Sequence, residues 1–365
     1  MIRVGMVGVG CISGIYLENF KNVFHGVRLV AVCDLIRERA ERAREKYNIP
    51  KIYETMEEMF LDEEIDVILN LTRPYQHYGV TKAALLAGKH VYSEKPLGAD
   101  WAEGEELVRI AKEKGLMLGG APDTFLGGGI QECRKLIDEG VIGKVVGGRF
   151  TVPGHGMETW HPDPDFYYQR GGGPLLDMGP YYITAMVNLL GAVREVVGYS
   201  NTAYETRLIT AEPHKGEIIK VNTPTHYEAL VTLESGVHVS LLASFDIWRS
   251  RQVPIEIYGT EGTMFVPDPN CFGGPVTVYD GKSGKEVEYP ITFGYTENSR
   301  LLGLADFAAA LESGRPGRTT YRQTLHVLEV MTGIMQSAKT GLPYQVKTPF
   351  TREAPMDPTL PAGVL

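Results

Sequence analysis

Apolar residues in the first third of the chain follow two alternating rhythms. Short unbroken runs at Ile2–Val7, Val27–Cys33, Ile65–Leu71 and His90–Ser93 have the length and content of buried strands. Between them the apolar positions recur at helical spacing. Ile12, Ile15, Tyr16, Phe20 and Val23 form one stripe, and Ala40, Ala43 and Tyr47 share a face of Arg37–Tyr47. Further helices are predicted over Tyr78–Ala87 and Ala102–Lys114. Strands alternating with helices predict an α/β fold with a doubly wound parallel sheet, whose ligands bind beyond the carboxyl ends of the strands. Gly8, Asp34, Thr72 and Glu94 all fall at such ends.

Beyond about residue 122 the pattern changes. Lys144–Val152, Glu195–Ala203, Tyr227–Leu233, Val237–Phe245, Ile255–Tyr258 and Val276–Tyr279 read as strands. Turn signals such as Glu234-Ser235-Gly236, Thr260-Glu261-Gly262 and Asp280-Gly281 join several of them. This predicts an α+β unit with a largely antiparallel sheet, one face covered by helices over Ile130–Glu139 and Pro180–Leu190. A late helix around Tyr321–Lys339 is expected to return to the first unit, and the proline-rich stretch from Thr348 should run extended.

The turn Gly8-Val9-Gly10-Cys11-Ile12-Ser13 lies between the first strand and the first helix. Gly8 permits the tight turn, Gly10 lets backbone approach a pyrophosphate, and the helix offers its positive end. Ser13 stands where a third glycine is usual. Strand, turn, helix, second strand and Asp34 arrive in the order of a dinucleotide site rather than a surface glycine loop. Asp34 would accept hydrogen bonds from the adenosine ribose and repel a 2′-phosphate, which favours NAD; Arg37 and Arg39 nearby keep NADP in view. Lys95 follows a buried strand and precedes Pro96, which fixes the backbone where nicotinamide is expected; a solvated turn lysine is the alternative. The expected cofactor set is Gly8, Gly10, Cys11, Ile12, Ser13, Asp34, Thr72, His77, Glu94 and Lys95.

Composition narrows the function. A chain of 365 residues with 43% hydrophobic and 22% charged positions suits two globular domains. A net charge of -9 disfavours a nucleic-acid groove or an anionic membrane surface. No run approaches the roughly 18 apolar residues of a membrane span, and no leader pattern opens the chain, so a cytoplasmic location is expected. Cys11, Cys33, Cys133 and Cys271 lie far apart, so reduced thiols are expected and a zinc knot is not. The segment from Gly154 to Tyr168 is polar, aromatic and stiffened by Pro162 and Pro164. It suits a sugar pocket, where Trp160 would pack on ring CH groups and His161 would bind hydroxyls; a merely ordered loop is the alternative. A metal would need His155, His161, Asp163 and Asp165 to converge, and their spacing matches no standard ligand motif.

The run Leu71-Thr72 through His77, then Ala84–Gly88, Lys89-His90-Val91 and Glu94-Lys95-Pro96-Leu97-Gly98, resembles the signature of the Gfo/Idh/MocA oxidoreductase family. Ile142-Gly143-Lys144, Gly171-Gly172-Gly173 and Leu176-Asp177-Met178-Gly179 carry the likeness through most of the chain. The resemblance implies a Rossmann domain followed by an open-faced mixed sheet, dehydrogenase activity on a sugar, polyol or glycoside, and a cis bond before Pro96. Two motifs depart from the family pattern. Thr72-Arg73-Pro74 replaces a Thr-Pro, and Tyr181 stands where the family's histidine is usual in Asp-x-Gly-x-His-x-x-Asp. The tyrosine resembles the branch containing glucose-fructose oxidoreductase and the dimeric dihydrodiol dehydrogenases, which implies Tyr181 as the catalytic base. A phenol ordinarily titrates at about 10, and an adjacent Lys95 ammonium would bring it nearer neutrality; a core aromatic is the alternative.

The expected division is an NAD-binding domain over 1–122, a substrate-binding and oligomerisation domain over 123–345, and a tail over 346–365. The expected reaction takes hydride from a secondary hydroxyl, with Lys95 and Tyr181 catalytic and His77, His161, Trp160 and Asp177 binding substrate. Asp177 could instead be a simple helix cap, and His77 a surface histidine. The rival functions are an enzyme that retains NAD and uses transient oxidation for glycoside elimination or cleavage, and a non-catalytic NAD-sensing regulator. A sheet covered on one face only leaves the other for a homodimer or homotetramer contact.

Overall fold

The first sheet is built from β1 (Ile2–Val7), β2 (Val27–Cys33), β3 (Lys51–Ile52), β4 (Val67–Asn70), β5 (His90–Ser93) and β6 (Leu118–Gly120). All pairs are parallel and the order is β3-β2-β1-β4-β5-β6, so the winding reverses between β1 and β4 and a crevice opens beyond their carboxyl ends. Helices α1 (Ser13–Asn22), α2 (Arg37–Tyr47), α3 (Met56–Phe60), α4 (Pro74–Leu86) and α5 (Trp101–Lys114) form the connections. This is the doubly wound arrangement that the alternating rhythm predicts. The computed structural model describes residues 1–360 and 363–365; Pro361 and Ala362, part of the expected tail, lie outside the described residues.

Local chemistry sets several boundaries. Asp100 accepts a hydrogen bond from the Glu103 N–H at the start of α5, and Gly115 ends the helix in a left-handed conformation. Helix α4 begins at Pro74, earlier than the expected Tyr78. A proline in the first turn loses no helical hydrogen bond, while polar Gln76 and His77 break the apolar rhythm that marks the rest of the helix.

The second half carries β7 (Val145–Pro153), β8 (Val193–Asn201), a hairpin of β9 (Thr206–Leu208) and β10 (Ile218–Lys220), β11 (His226–Leu233), β12 (His238–Ser244), β13 (Ile255–Gly259), β14 (Gly262–Val266), β15 (Val276–Asp280), β16 (Lys285–Tyr289) and β17 (Tyr344–Gln345). Apart from the hairpin they form a nine-stranded sheet in the order β16-β15-β14-β13-β7-β12-β11-β8-β17. Every pair is antiparallel except β7 with β12, so the sheet is mixed. Strand β16 is exposed along nearly its whole length, which is why Lys285–Tyr289 gives no apolar pattern. Helices α6 (Gly128–Asp138), α7 (Gly173–Asp177), α8 (Gly179–Leu190), α9 (Leu302–Ser313) and α10 (Tyr321–Thr340) complete the fold. The nearly all-round apolar character of α9 hides its helical period, and its buried face runs from Leu302 to Ala310.

Helix α10 joins the two halves, as the late helical pattern predicts. Its Leu328 presses so closely on α5 that Gly104 has no room for a Cβ, and Thr320 at its start bridges to Gly119 of β6. On its other side it packs against β8 and β17. Leu328 is fully buried at this seam, where a leucine contributes about 1.5–3 kcal/mol.

His326 of α10 fastens the start of the C-terminal tail. Its Nε2 accepts the Val193 N–H at 3.1 Å, while Nδ1 faces the Thr348 carbonyl at 3.1 Å and the Thr348 hydroxyl at 2.9 Å. Nε2 can accept only in the neutral ring, and burial lowers the pKa from 6.5 to about 4 against the opposing effects of Thr348 and Glu329. The unfolded chain therefore takes the proton first as pH falls. The stability that neutral His326 contributes is complete above 6.5 and is lost on the way down to about 4, on the order of 3 kcal/mol. Urea unfolding of wild type and His326→Gln between about pH 7 and about pH 4.5 should show a smaller pH-dependent loss in the variant; equal losses would remove His326 from the acid response.

Candidate active site

The crevice begins at Gly8, whose φ of +97° and position 2.8 Å (for an added Cβ) from the Leu71 carbonyl leave no place for a side chain. Gly10 has open space around it. The N-terminus of α1 has no side-chain cap and no acidic residue in its first turn; the Ser13 N–H bonds the Gly10 carbonyl at 3.2 Å, and the helix keeps its positive end free for an anion. Cys11 is exposed and Ile12 half-buried, while the Ser13 hydroxyl turns back to donate to the Gly10 carbonyl at 2.7 Å. Asp34 ties two loops together, accepting the Val9 N–H at 2.6 Å and the Ile36 N–H at 2.7 Å. A carboxylate has lone pairs beyond those two for ribose hydroxyls. The cradle fits a dinucleotide.

Asn70, at the end of β4, organises the next wall. Its Oδ1 accepts the Thr72 N–H at 3.2 Å and hydroxyl at 2.6 Å, while its Nδ2 donates to the His77 carbonyl and the Thr81 hydroxyl, both at 3.1 Å. The His77 ring is buried between two carbonyls, Nδ1 2.8 Å from Pro96 O and Nε2 2.9 Å from Thr72 O. Burial lowers its pKa, against the pull of the two carbonyls. The ring is buried and each nitrogen faces a main-chain carbonyl, one of which takes the single N–H of the neutral ring, so in place of the expected direct contact with ribose or substrate His77 ties the end of β4 to the segment after β5. The alternative of a surface histidine fails as well.

Glu94 is likewise turned inward, accepting from the Tyr16 hydroxyl at 2.7 Å and the Lys95 N–H at 3.0 Å. The Lys95–Pro96 bond is cis, as the resemblance implies. Lys95 projects across to the second half, where Nζ donates to the Asp177 carbonyl at 2.6 Å and to Asp177 Oδ1 at 2.8 Å. The two side chains are 14% and 15% exposed, too enclosed for a solvated turn lysine. Burial opposes the ammonium, but Asp177, Tyr181 and Glu94 outweigh it and hold Lys95 well above the ordinary lysine value.

Asp177 is the last residue of α7, and Met178 turns the chain into α8 with Pro180 in the first turn. The α8 N-terminus has no side-chain cap, so the alternative of Asp177 as a helix cap does not hold. Tyr181, in that same turn, places its ring 5.0 Å beneath the Lys95 ammonium. Burial raises the Tyr181 pKa, Lys95 opposes it, Glu94 adds to it, and Arg300 opposes it by charge and hydrogen bonding; the balance stays above the ordinary value.

The loop before α7 forms a further wall. His161 is buried, accepts the Asp163 N–H on Nδ1 at 3.0 Å, and meets Trp160, Phe166 and Tyr167 edge to face. Trp160 is 60% exposed. Asp163 pairs with Arg73 at the start of α4, so this loop is latched to the first half. Burial raises the Tyr167 pKa first; Asp177 adds to this and the Lys95 charge opposes it, which puts its phenol among the same groups. Tyr167 and Arg300 lie beside this cluster without being singled out in the sequence, and Arg73 stands out there only as a departure from the Thr-Pro motif. Tyr167 is one of several aromatics in its loop, and Arg73 and Arg300 lie outside any periodic pattern. Among the described residues no three His, Cys, Asp or Glu side chains come together as a metal site.

A dinucleotide cradle beside an enclosed ammonium and phenol is the equipment of a nucleotide-dependent oxidoreductase. Residues 2–120 match the model of an oxidoreductase family with an NAD-binding Rossmann fold, and residues 130–265 match the GFO/IDH/MocA C-terminal domain. The chain belongs to the Gfo/Idh/MocA oxidoreductase family. It is 28% identical over 293 residues to trans-1,2-dihydrobenzene-1,2-diol dehydrogenase of Bos taurus, covering 80% of each chain. Its match to the Mus musculus enzyme of the same name is 31% identical but spans 57% of that protein and 52% of this chain. Scyllo-inositol 2-dehydrogenase (NADP(+)) of Bacillus subtilis is 24% identical over 360 residues, covering 93% of this chain and 94% of that one. Among solved structures, levoglucosan dehydrogenase in complex with NADH and levoglucosan has a TM-score of 0.79 at 21% identity, covering 95% of this chain and 99% of that chain. The relatives are thus dehydrogenases of sugars, polyols and diols, the class that the motifs imply.

The Lys95–Asp177 pair should be exposed by breaking it. Asp177→Ala leaves an enclosed ammonium with only a main-chain carbonyl, and should lower stability by about 3 kcal/mol in denaturant unfolding. The Lys95 pKa should fall with it, so labelling by an amine-selective reagent should become faster in the folded variant. Unchanged stability and labelling would show that the pair carries little.

Proposed function

We propose that this enzyme oxidises a secondary hydroxyl of a sugar, polyol or glycoside, with Tyr181 as the base and Lys95 as the group that steadies the substrate oxygen. The observation that carries this reading is the Lys95 ammonium, held by Asp177 and seated over the Tyr181 ring at the mouth of the nucleotide crevice. Bound NAD supplies the hydride acceptor, with Gly8, Gly10, Cys11, Ile12 and Ser13 around its pyrophosphate and Asp34 on its ribose. An ammonium has three N–H donors, and Asp177 uses two of those of Lys95, which leaves one for the substrate oxygen. Tyr181 Oη takes the hydroxyl proton as charge develops on that oxygen. His161 and Trp160 hold the rest of the substrate, the indole face against ring CH groups.

For the cofactor we favour NAD. Asp34 presents a carboxylate where a 2′-phosphate would sit, and the nearby Arg37 is engaged by Glu41 and Glu54. Unpaired Cys11, Cys33, Cys133 and Cys271 suit a reducing cytoplasm, and no described helix is long and apolar enough to cross a membrane. The domain boundaries at about residues 122 and 345 are retained, the first falling just after β6 and the second at β17.

A panel of sugars, polyols and glycosides followed by NADH absorbance tests the reaction. Turnover with NAD should exceed that with NADP, and Tyr181→Phe should lose about 100-fold to 10,000-fold in rate while still binding NAD. Near wild-type turnover in Tyr181→Phe would remove the phenol as base. Turnover without net NADH would point to a retained cofactor, and NAD binding without turnover to a sensor. We further propose that the uncovered face of the second sheet, where Tyr199, Leu230 and Tyr279 are exposed, joins copies of this chain into a homodimer or homotetramer. Light scattering at micromolar concentration should give a multiple of the chain mass, and a monomer would overturn this.

A further inference from the structure

We propose that Arg207 is a positioning residue for the substrate: from the β9–β10 hairpin it holds the loop that carries Trp160 and His161, and so sets how firmly the part of the substrate remote from the reacting carbon is gripped. The inference rests on the placement of Trp160 and His161 against the substrate.

The main core does little to hold that loop. Tyr168, Ile209, Ile219 and Phe245 form a small apolar cluster of their own, separate from the main core, with Met157, Tyr167 and Val221 packed at its edge. Against this cluster lies Arg207 of β9, its guanidinium 5.6 Å from the centre of the Tyr168 ring and 4.6 Å from that of Tyr204. Its Nη1 donates to Glu158 Oε1 at 3.2 Å, and its Nη2 donates to the Phe245 carbonyl at 3.2 Å and to Asp246 Oδ1. The Tyr168 hydroxyl donates to the other oxygen of Glu158, and the Thr225 hydroxyl to the other oxygen of Asp246 at 2.7 Å. The side chains of Arg207, Glu158 and Asp246 are at most 10% exposed.

Two carboxylates against one cation, with the Arg207 Nε buried and without a partner among the described residues, are a costly filling for a core. Apolar side chains of similar volume often serve stability as well or better. What the guanidinium adds is direction, because its planar fork fixes two carboxylates at once.

One of those carboxylates belongs to the loop and the other follows β12 of the sheet. Glu158 lies within the turn in which the Met157 carbonyl accepts the Trp160 N–H at 3.2 Å and the His161 N–H at 2.9 Å, so fixing Glu158 fixes both residues. The hairpin grips the same turn again, since the Glu158 carbonyl accepts the N–H groups of Thr210 at 3.0 Å and Ala211 at 3.2 Å. At the far end of the loop the Tyr168 carbonyl accepts the Asn222 N–H at 2.9 Å, and the ring of Tyr167 meets that of His161 edge to face, 5.2 Å between centroids. Arg207, Glu158 and Asp246 make no hydrogen bond to Lys95, Asp177 or Tyr181 among the described residues, so their effect should fall on substrate binding and not on the hydride step.

Arg207→Lys keeps the charge and loses the fork. With a substrate from the panel its KM should rise about 10-fold, while kcat and the KM for NAD stay within about twofold. In a Trp160→Ala background the same exchange should add at most about threefold, because part of what Arg207 positions is already gone. An unchanged substrate KM, a fall in kcat at unchanged KM, or full additivity with Trp160→Ala would each overturn the proposal. A second measurement needs no substrate: 5-fluorotryptophan gives separate fluorine NMR signals for Trp101, Trp160 and Trp248, assigned by replacing each in turn with phenylalanine. Arg207→Lys should move or broaden the Trp160 signal and leave that of Trp101, in the nucleotide-binding half, in place; an unmoved Trp160 signal in a folded variant would overturn the proposal. Glu158→Gln, which gives up the charge and keeps the shape, takes the place of Arg207→Lys if the lysine variant folds poorly, with the same outcomes. Absence of turnover on every sugar, polyol and glycoside would count against the proposed reaction and leaves the fluorine result to decide on Arg207, so the two failures are distinguishable.

Discussion

The ion pair between Lys95 and Asp177 is the constraint on which the site depends. Lys95 leaves the end of a parallel strand in the nucleotide-binding half, and Asp177 ends a short helix of the other half. Neither charge is well solvated, so each needs the other, and their meeting fixes how α8 approaches the crevice. Tyr181 follows from that docking, one turn beyond Asp177 and under the ammonium. A group introduced as a catalytic lysine is therefore also the bolt between two sheets.

Other contacts across the seam share this load. Helix α10 lies against α5 and β6 on one side and β8 on the other, so the halves are joined by apolar packing well away from the crevice. Near the crevice the links are polar, with Arg73 to Asp163 and Asn19 to the carbonyls before α9. Apolar packing holds the halves at a set distance, and polar links select the geometry near the chemistry.

Much of this was legible in the sequence where the chemistry is local. The turn Gly8–Ser13, the strand ending at Asp34 and the run Glu94-Lys95-Pro96 announce themselves because backbone conformation and charge are set within a few residues. Tyr181 and Asp177 were legible as one motif on adjoining turns. The surroundings of His77 and Arg300 were not, because they depend on partners far away: His77 sits between carbonyls from two strand ends, and Arg300 bonds Asn270 through its side chain and Asn19 through its carbonyl. Strand β16 and helix α9 were hidden for opposite reasons, one having almost no buried residue and the other almost no polar face. Periodicity registers contrast between faces, and these elements have little.

The two hydrogen bonds to Asp34 carry a consequence for redesign. One carboxylate closes the loop after β1 through Val9 and the loop after β2 through Ile36. A substitution there, whatever nucleotide it is meant to admit, also strips two backbone donors of their acceptor. The glycine turn and the loop after β2 would loosen together, so any exchange at this position calls for a second substitution that rebuilds the acceptor.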